Sequence, residues 1–301
     1  MEDNQKLGAT DFFMLLTVLF WALNFSFIKI ALREFSPLGF NGIRLFLASL
    51  ILLFIILISK EGLSIDRSDF WKYVFLGIIG NTVFQMLFIH GINWTSASNT
   101  SIVMAMTPVF VALLSSALKQ ERIHWAAWIG ILISFVGFYL VITRKDGSFH
   151  LVWQSLRGDL MIFVGNLCWA IYTVFSRPLL KKISPLKLTG ITMGIGTVFY
   201  IPFCIKEITR LRIFEISSHS WLSLSYSAVF ALVISYVIWY ASVRRVGNSK
   251  TAIYGNITPV FTMFFATIFI SEKVTFLQIV GALIIFAGVY LTRYGYRFFI
   301  K

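Results

Sequence analysis

Thr107-Pro108-Val109-Phe110 sets a proline in the middle of a long apolar run, and the same four residues return as Thr258-Pro259-Val260-Phe261. A proline inside a helix removes one backbone donor and clashes with the carbonyl four residues earlier. Those carbonyls belong here to Met104 and Gly255. In hydrocarbon a freed carbonyl is costly unless protein, a hydroxyl or a water-filled cavity satisfies it. Two such breaks at corresponding places in two halves of a chain point to a transport site near the middle of a membrane.

The rest of the chain suits lipid. Of its 301 residues 58% are hydrophobic and 13% charged, with a mean hydropathy of +0.82; a soluble domain carries about 25% charged residues. At about 20 apolar residues per crossing, the sequence predicts ten spans near 11–32, 37–59, 70–92, 96–118, 124–143, 158–180, 185–206, 219–243, 247–270 and 275–293. The fold class is therefore an all-α polytopic membrane protein whose short connections leave no soluble domain of useful size. The polar start, Met1 to Thr10, lacks a basic n-region, so the first span reads as a retained signal anchor rather than a cleaved signal peptide.

The formal charge of +13 does not indicate nucleic acid, because the basic residues sit at span ends instead of forming one patch. Lys and Arg are more numerous on the side shared by the two termini. Lys181, Lys182, Lys187, Arg244, Arg245 and Lys250 fall there, against Lys29, Arg33, Lys206, Arg210 and Arg212 on the other. The bias predicts both termini in the cytoplasm, and the membrane is read as the cell membrane. Cys168 and Cys204 lie inside apolar spans, as small buried hydrophobes rather than a disulfide or metal framework. No cofactor is expected.

An internal repeat runs through the chain. At an offset of 148, Asp11 meets Asp159, Trp21-Ala22 meets Trp169-Ala170, Lys29 meets Arg177, and Ser36-Pro37-Leu38 meets Ser184-Pro185-Leu186. From the fourth span the offset is 151, so that Glu121 meets Glu272, Gly130 meets Gly281 and Gly137 meets Gly288. Each half, 1–150 and 151–301, holds five spans. An odd number makes the second half enter the membrane from the opposite side, giving two inverted five-helix repeats, an architecture suited to alternating access. Asp146-Gly147-Ser148 supplies a turn between them.

The Trp21-Ala22 pair, Lys29, Ser36-Pro37, Arg44, mid-span Pro108 followed by Glu121, and the Gly130/Gly137 span resemble the EamA unit of the drug/metabolite transporter superfamily, and the second copy resembles it too. The resemblance covers nearly the whole chain. It implies ten helices in inverted halves, a central cavity lined mainly by helices 1, 3, 4, 6, 8 and 9, and movement of amino acids or related metabolites, often outward. Thr192 stands where Arg44 would repeat, which confines any role of that arginine to one half.

Candidate pathway residues follow, each with a plainer structural alternative. Pro108 and Pro259 are hinges or cavity-lining breaks; the alternative is a packing kink, and Thr107 and Thr258 can bond back to their own helices. Arg44 lies seven residues past Pro37, about 10 Å along its helix at ~1.5 Å per residue, a depth at which an ionisable group is a functional candidate. Its alternative is snorkelling or pairing with Glu34. Lys29 and Arg177 are either interfacial anchors or anion-attracting charges at the two mouths. Asn24, Gln85, His90, Asn93, Ser98 and Asn99 in the first half, and Tyr172, Tyr236, Tyr254 and Asn256 in the second, contact substrate or bond helix to helix. Trp21, Trp169, Trp239 and Tyr240 could stack on an aromatic substrate or fill the core.

Glu121 and Glu272 read as helix-end charges pairing locally, and no Asp or Glu falls deep inside a predicted span. A buried carboxylate is a common proton or sodium carrier, so the expected drive is the substrate's own gradient or coupling through something other than an intramembrane carboxylate. The paired glycines bring helices close within the monomer or across a homodimer. The leading reading is a permease for small-molecule metabolites; a carrier of phosphorylated or nucleotide-sugar substrates is second, since Lys29, Arg44, Arg177 and Lys250 could meet phosphate. A membrane enzyme is disfavoured by the absence of HExxH and of Gly-x-Ser-x-Gly, and a sensor by the lack of a soluble reading domain.

Overall fold

The computed structural model describes residues 2–59, 61–120, 125–143 and 153–294. Glu121 and the Asp146-Gly147-Ser148 turn lie outside the described residues. Among the described residues no strand occurs. Eight helical stretches are long and apolar enough to cross a membrane, and Ala127–Ile142 and Phe276–Thr292 are shorter apolar helices. They account for the ten predicted crossings.

Four crossings are not the continuous helices that the sequence suggests. The first two are α1 (Glu2–Ala31) and α2 (Pro37–Ile58). The third joins α3 (Phe70–Gly77) to α4 (Phe84–Trp94) through a π-helical segment, Ile78–Val83. The fourth is broken into α5 (Ala97–Met104) and α6 (Thr107–Ala117), and the fifth is α7 (Trp125–Thr143). After α8 (Trp153–Ser176) and α9 (Pro185–Thr209), the eighth runs through α10 (Ser218–Tyr226), a π-helical segment at Ser227–Ile234, and α11 (Ser235–Val246). The ninth comprises α12 (Asn248–Tyr254), a 3₁₀ turn at Gly255–Ile257, and α13 (Thr258–Ile270); α14 (Phe276–Tyr294) is the tenth. The π segments coincide under the 151-residue offset, and so do the breaks before the two Thr-Pro pairs.

Pro108 and Pro259 sit in the first turn of new helices, α6 and α13. At that position the missing N–H would have had no helical partner, and the fixed φ suits a helix start. The same logic opens α2 and α9. Ser36 and Ser184 accept hydrogen bonds from the backbone of Gly39 (3.2 Å) and Lys187 (3.1 Å), with Pro37 and Pro185 following them.

Small residues then set the packing. A methyl group on Gly137 would fall 2.8 Å from the Gly281 carbonyl, and one on Gly288 would fall 2.5 Å from the Gly130 carbonyl. Backbones therefore touch, and α7 and α14 run antiparallel. The glycine faces are occupied inside one chain, as close contact between small residues allows in lipid. Similarly, Gly91 lies against Gly158 between α4 and α8. Ser49 and Thr197 share a 2.7 Å hydrogen bond between α2 and α9. Crossings 1, 2, 3, 4, 6, 8 and 9 all contribute residues to one central cavity.

Candidate functional site

The central cavity has a volume of about 80 Å³, well above the ~10–15 Å³ that one water needs. Trp21, Trp169, Trp239 and Tyr236 form one wall, with Trp21 centred 5.2 Å from Trp239 and Trp169 centred 4.9 Å from Tyr236. Phe25, Phe84 and Phe88 form another. The π segment of the eighth crossing holds this box. Its i→i+5 pattern leaves a carbonyl out of α-helical register, and Trp21 Nε1 donates to Ala231 O at 3.0 Å.

Arg44 supplies the cation. Its side chain lines the cavity at 1% exposure. It donates to Ser227 Oγ at 2.9 Å and, through Nη2, to Asn41 Oδ1 and Gln85 Oε1 at 2.5 Å each. Gln85 Nε2 in turn donates to the Tyr236 hydroxyl at 2.7 Å. Arg44 neither snorkels nor pairs with Glu34, whose carboxylate instead accepts from Ser217 N at 2.8 Å. The acceptors that cluster deep in the bundle hold the guanidinium there. Its Nε has no partner.

The two helix breaks open onto the cavity through Met104, Thr107, Gly255 and Thr258, but they are not alike. In the first half Thr107 Oγ1 donates to Met104 O at 2.6 Å, and Asn166 Nδ2 donates to Val103 O and Met104 O at 3.0 and 3.3 Å. Another helix thus satisfies the carbonyl that Pro108 frees. In the second half the Gly255 carbonyl accepts the backbone N–H of Thr258, which leaves the Thr258 hydroxyl buried and unpartnered. The repeat places Val18, which has no polar atom, where Asn166 stands.

A wider vestibule of about 500 Å³ lies one turn further along α1, lined by Lys29, Arg33, Asn93, Thr95 and Glu272. Phe25 and Phe88, with centroids 5.9 Å apart, line the cavity about one turn before Lys29 and Asn93, which line the vestibule. Glu272 corrects the expectation of local pairing. Its two carboxylate oxygens accept from Ala97 N and Ser98 N at 3.0 Å each, capping α5 from the other half. The reason is geometric: Ser271 adopts a left-handed conformation (φ 54°) and turns the chain at the end of α13. A carboxylate on free N–H groups at a helix start is favourable.

A second correction concerns acidic residues. Asp159 is buried at 1% exposure. It accepts from Thr95 Oγ1 at 2.5 Å and Asn99 Nδ2 at 3.3 Å, and Gln278 Nε2 donates to Asn99 Oδ1 at 2.6 Å. The sequence puts Asp159 at a span end, but α8 begins at Trp153, so the residue lies about 9 Å inside the helix at ~1.5 Å per residue.

Of the residues singled out in the sequence, the structure brings together Trp21, Asn24, Arg44, Gln85, Trp169, Tyr236 and Trp239. The others lie elsewhere. Lys29 lines the vestibule and reaches Asn93 O at 3.5 Å. His90 faces Trp94, and Asn99 belongs to the Asp159 network. Tyr172 backs Trp169 and bonds Thr192 at 2.5 Å. Tyr254 bonds Asp11, Arg177 follows the end of α8, and Asn256 and the two prolines, close in sequence to the cavity-lining threonines, are not part of the lining. Sequence reasoning missed Phe25, Phe84 and Phe88, which no pattern separates from other aromatics. It also missed Ser227, which Arg44 finds only because the π segment presents it.

These features define a polytopic helical membrane protein with broken helices around a small buried cavity. The EamA-like transporter family matches residues 8–143 and 156–294, and the chain belongs to that family. It is 32% identical over 279 residues, 92% of this chain and 90% of the other, to "Uncharacterized transporter YyaM" of Bacillus subtilis. It is 24% identical to "Probable amino-acid metabolite efflux pump" of Salmonella typhimurium, over 95% of each chain. A solved crystal structure with 14% identity aligns over 98% of this chain and 99% of that chain at a TM-score of 0.72, a likeness of fold.

Proposed function

We propose that the protein is a secondary transporter that exports small metabolites, amino acids or related compounds, across the cytoplasmic membrane by alternating access. On this reading both termini lie in the cytoplasm, and residues 1–150 and 151–301 act as two inverted repeats. The observation that carries this reading is the central cavity, set where both broken crossings face each other. Broken helices at a repeat interface are a recurrent way to build a substrate site in lipid. The name of the Salmonella relative supports the amino-acid class.

In this mechanism the vestibule admits or releases the solute, and Phe25 and Phe88 close the cavity from it. Rocking of one repeat against the other opens the opposite side. The drive is the substrate's own gradient, since Asp159 is bonded within its own network and does not line the cavity. A carrier of phosphorylated or nucleotide-sugar substrates is the second reading, favoured by Lys29 and Arg33 in the vestibule. Comparing metabolite efflux between deletion and overexpression strains names the substrate, and flux into proteoliposomes tests the class. No solute flux above empty vesicles refutes transport. Flux that collapses with the proton gradient, and loses that dependence in Asp159→Asn, refutes the proposed drive.

A further inference from the structure

Arg44 is a buried cation whose hydrogen-bonding partners are all neutral. Ser227, Asn41 and Gln85 take its Nη groups, and no ion pair joins it to any described residue. A buried charge without a counter-ion is unfavourable, and one donor, Nε, is left unsatisfied on this cavity-lining side chain. A carboxylate arriving in that cavity supplies both the missing charge and the missing acceptor, through the charge-assisted geometry that guanidinium favours.

Two further residues that line the cavity carry a buried polar atom without a partner, Asn24 Oδ1 and Thr258 Oγ1. An amide oxygen can only accept, so it calls for an N–H or O–H donor. The matching hydroxyl of the first half, Thr107, is already bonded to Met104 O and Asn166 Oδ1, so of the two breaks only the second offers a free hydroxyl. The remaining wall is aromatic. A phosphate ester brings about two charges near neutrality, and Arg44 is the cation that lines the cavity among the described residues.

Resting on the reading of this cavity as the substrate site, we infer that Arg44 anchors a substrate carboxylate while Asn24 and Thr258 receive a donor group on the same molecule. The substrate class is then a small monocarboxylate that bears an amino or hydroxyl group and an apolar body.

The test uses the full chain in nanodiscs, with Trp21, Trp169 and Trp239 as fluorescent reporters in the cavity wall. Two probe series are titrated. One is leucine, 2-hydroxy-4-methylpentanoate, 4-methylpentanoate and leucinamide; the other is the corresponding phenylalanine set. In at least one series the donor-bearing acid binds at least about tenfold tighter than its amide, a difference of ~1.4 kcal/mol. It also binds several-fold tighter than the acid without a donor. Thr258→Val removes the second preference and keeps the first. Equal binding of acid and amide overturns the inference, as does an unchanged donor preference in Thr258→Val, or no binding by any probe. Flux of these solutes in proteoliposomes separates the two claims. Flux without discrimination between acid and amide sustains transport and overturns the anchor. Discriminating binding without flux supports the anchor and refutes transport.

Discussion

Gln85 donates its side-chain amide to the Tyr236 hydroxyl at 2.7 Å, and the two residues are 151 positions apart, the offset that aligns the later parts of the two halves. Trp21 and Trp169, whose rings meet edge to face at 6.0 Å, are partners under the earlier offset, as are Ser49 and Thr197. Residues related by a two-fold operation touch each other only where the axis passes between them. The Gln85–Tyr236 bond joins the two halves of the chain at the wall of the cavity that Arg44 also lines.

That bond supports a stability prediction. Tyr236→Phe leaves Gln85 Nε2 without its acceptor and costs about 1–3 kcal/mol. Gln85→Leu also takes an acceptor from the Arg44 guanidinium and costs more. The double variant costs less than the two single losses together, because the residues act as one unit. Unfolding midpoints of the purified variants in one detergent check all three; additive losses contradict the coupling.

The two Thr-Pro breaks predict opposite behaviour for equivalent residues. Asn166→Leu removes the donor to Val103 O and Met104 O and destabilises the fold by about 1–3 kcal/mol. Thr258→Val removes a hydroxyl that has no partner, so it lowers stability little and acts on solute binding. Thermal unfolding beside binding separates the variants. A larger stability loss in Thr258→Val than in Asn166→Leu would contradict the asymmetry.

Much of this was readable in the residues. The apolar runs predict ten crossings, the Thr-Pro repeat predicts the two breaks, and Trp21, Arg44 and Trp169 stand out in the sequence as candidates and line the cavity. The sequence offers Pro108 and Pro259 as hinges or cavity-lining breaks, with a packing kink as the alternative; in the structure they begin new helices, which only the surrounding hydrogen bonds reveal. The π segments had no signature, since one extra residue in a turn leaves an apolar pattern nearly unchanged. The roles of Asp159 and Glu272 were hidden for another reason. Their partners, Asn99 and the start of α5, are distant in sequence, and no local spacing reports them.

The cap on α5 gives a third prediction. Glu272→Ala removes the acceptor shared by Ala97 N and Ser98 N, a loss of about 0.5–2 kcal/mol by analogy with other N-terminal caps. Because the contact ties one half to the other beside the vestibule, hydrogen exchange at α5 rises more than at α2. Equal change in both helices would argue against a local cap.

Outside the spans, Glu34 carries a pH dependence. The Ser217 backbone N–H, first among its partners, holds its carboxyl below the ordinary value, with Ser220 adding to the effect. A group with a lowered folded pKa contributes stability that is present above the unfolded value and is lost as pH falls through the folded one. Glu34→Gln therefore flattens the acid side of the stability profile and leaves the neutral side unchanged in slope. A profile identical to that of the wild-type chain below pH 4.5 would remove Glu34 from the account.

The central claim is that the cavity opens in turn to each side of the membrane. Its most direct measurement is the labelling of Thr258→Cys by a membrane-impermeant maleimide, applied separately from each side, with Cys168 and Cys204 replaced by alanine. The account predicts labelling from both sides, slowed by transported solute. Labelling from one side alone, at a rate indifferent to solute, would contradict it.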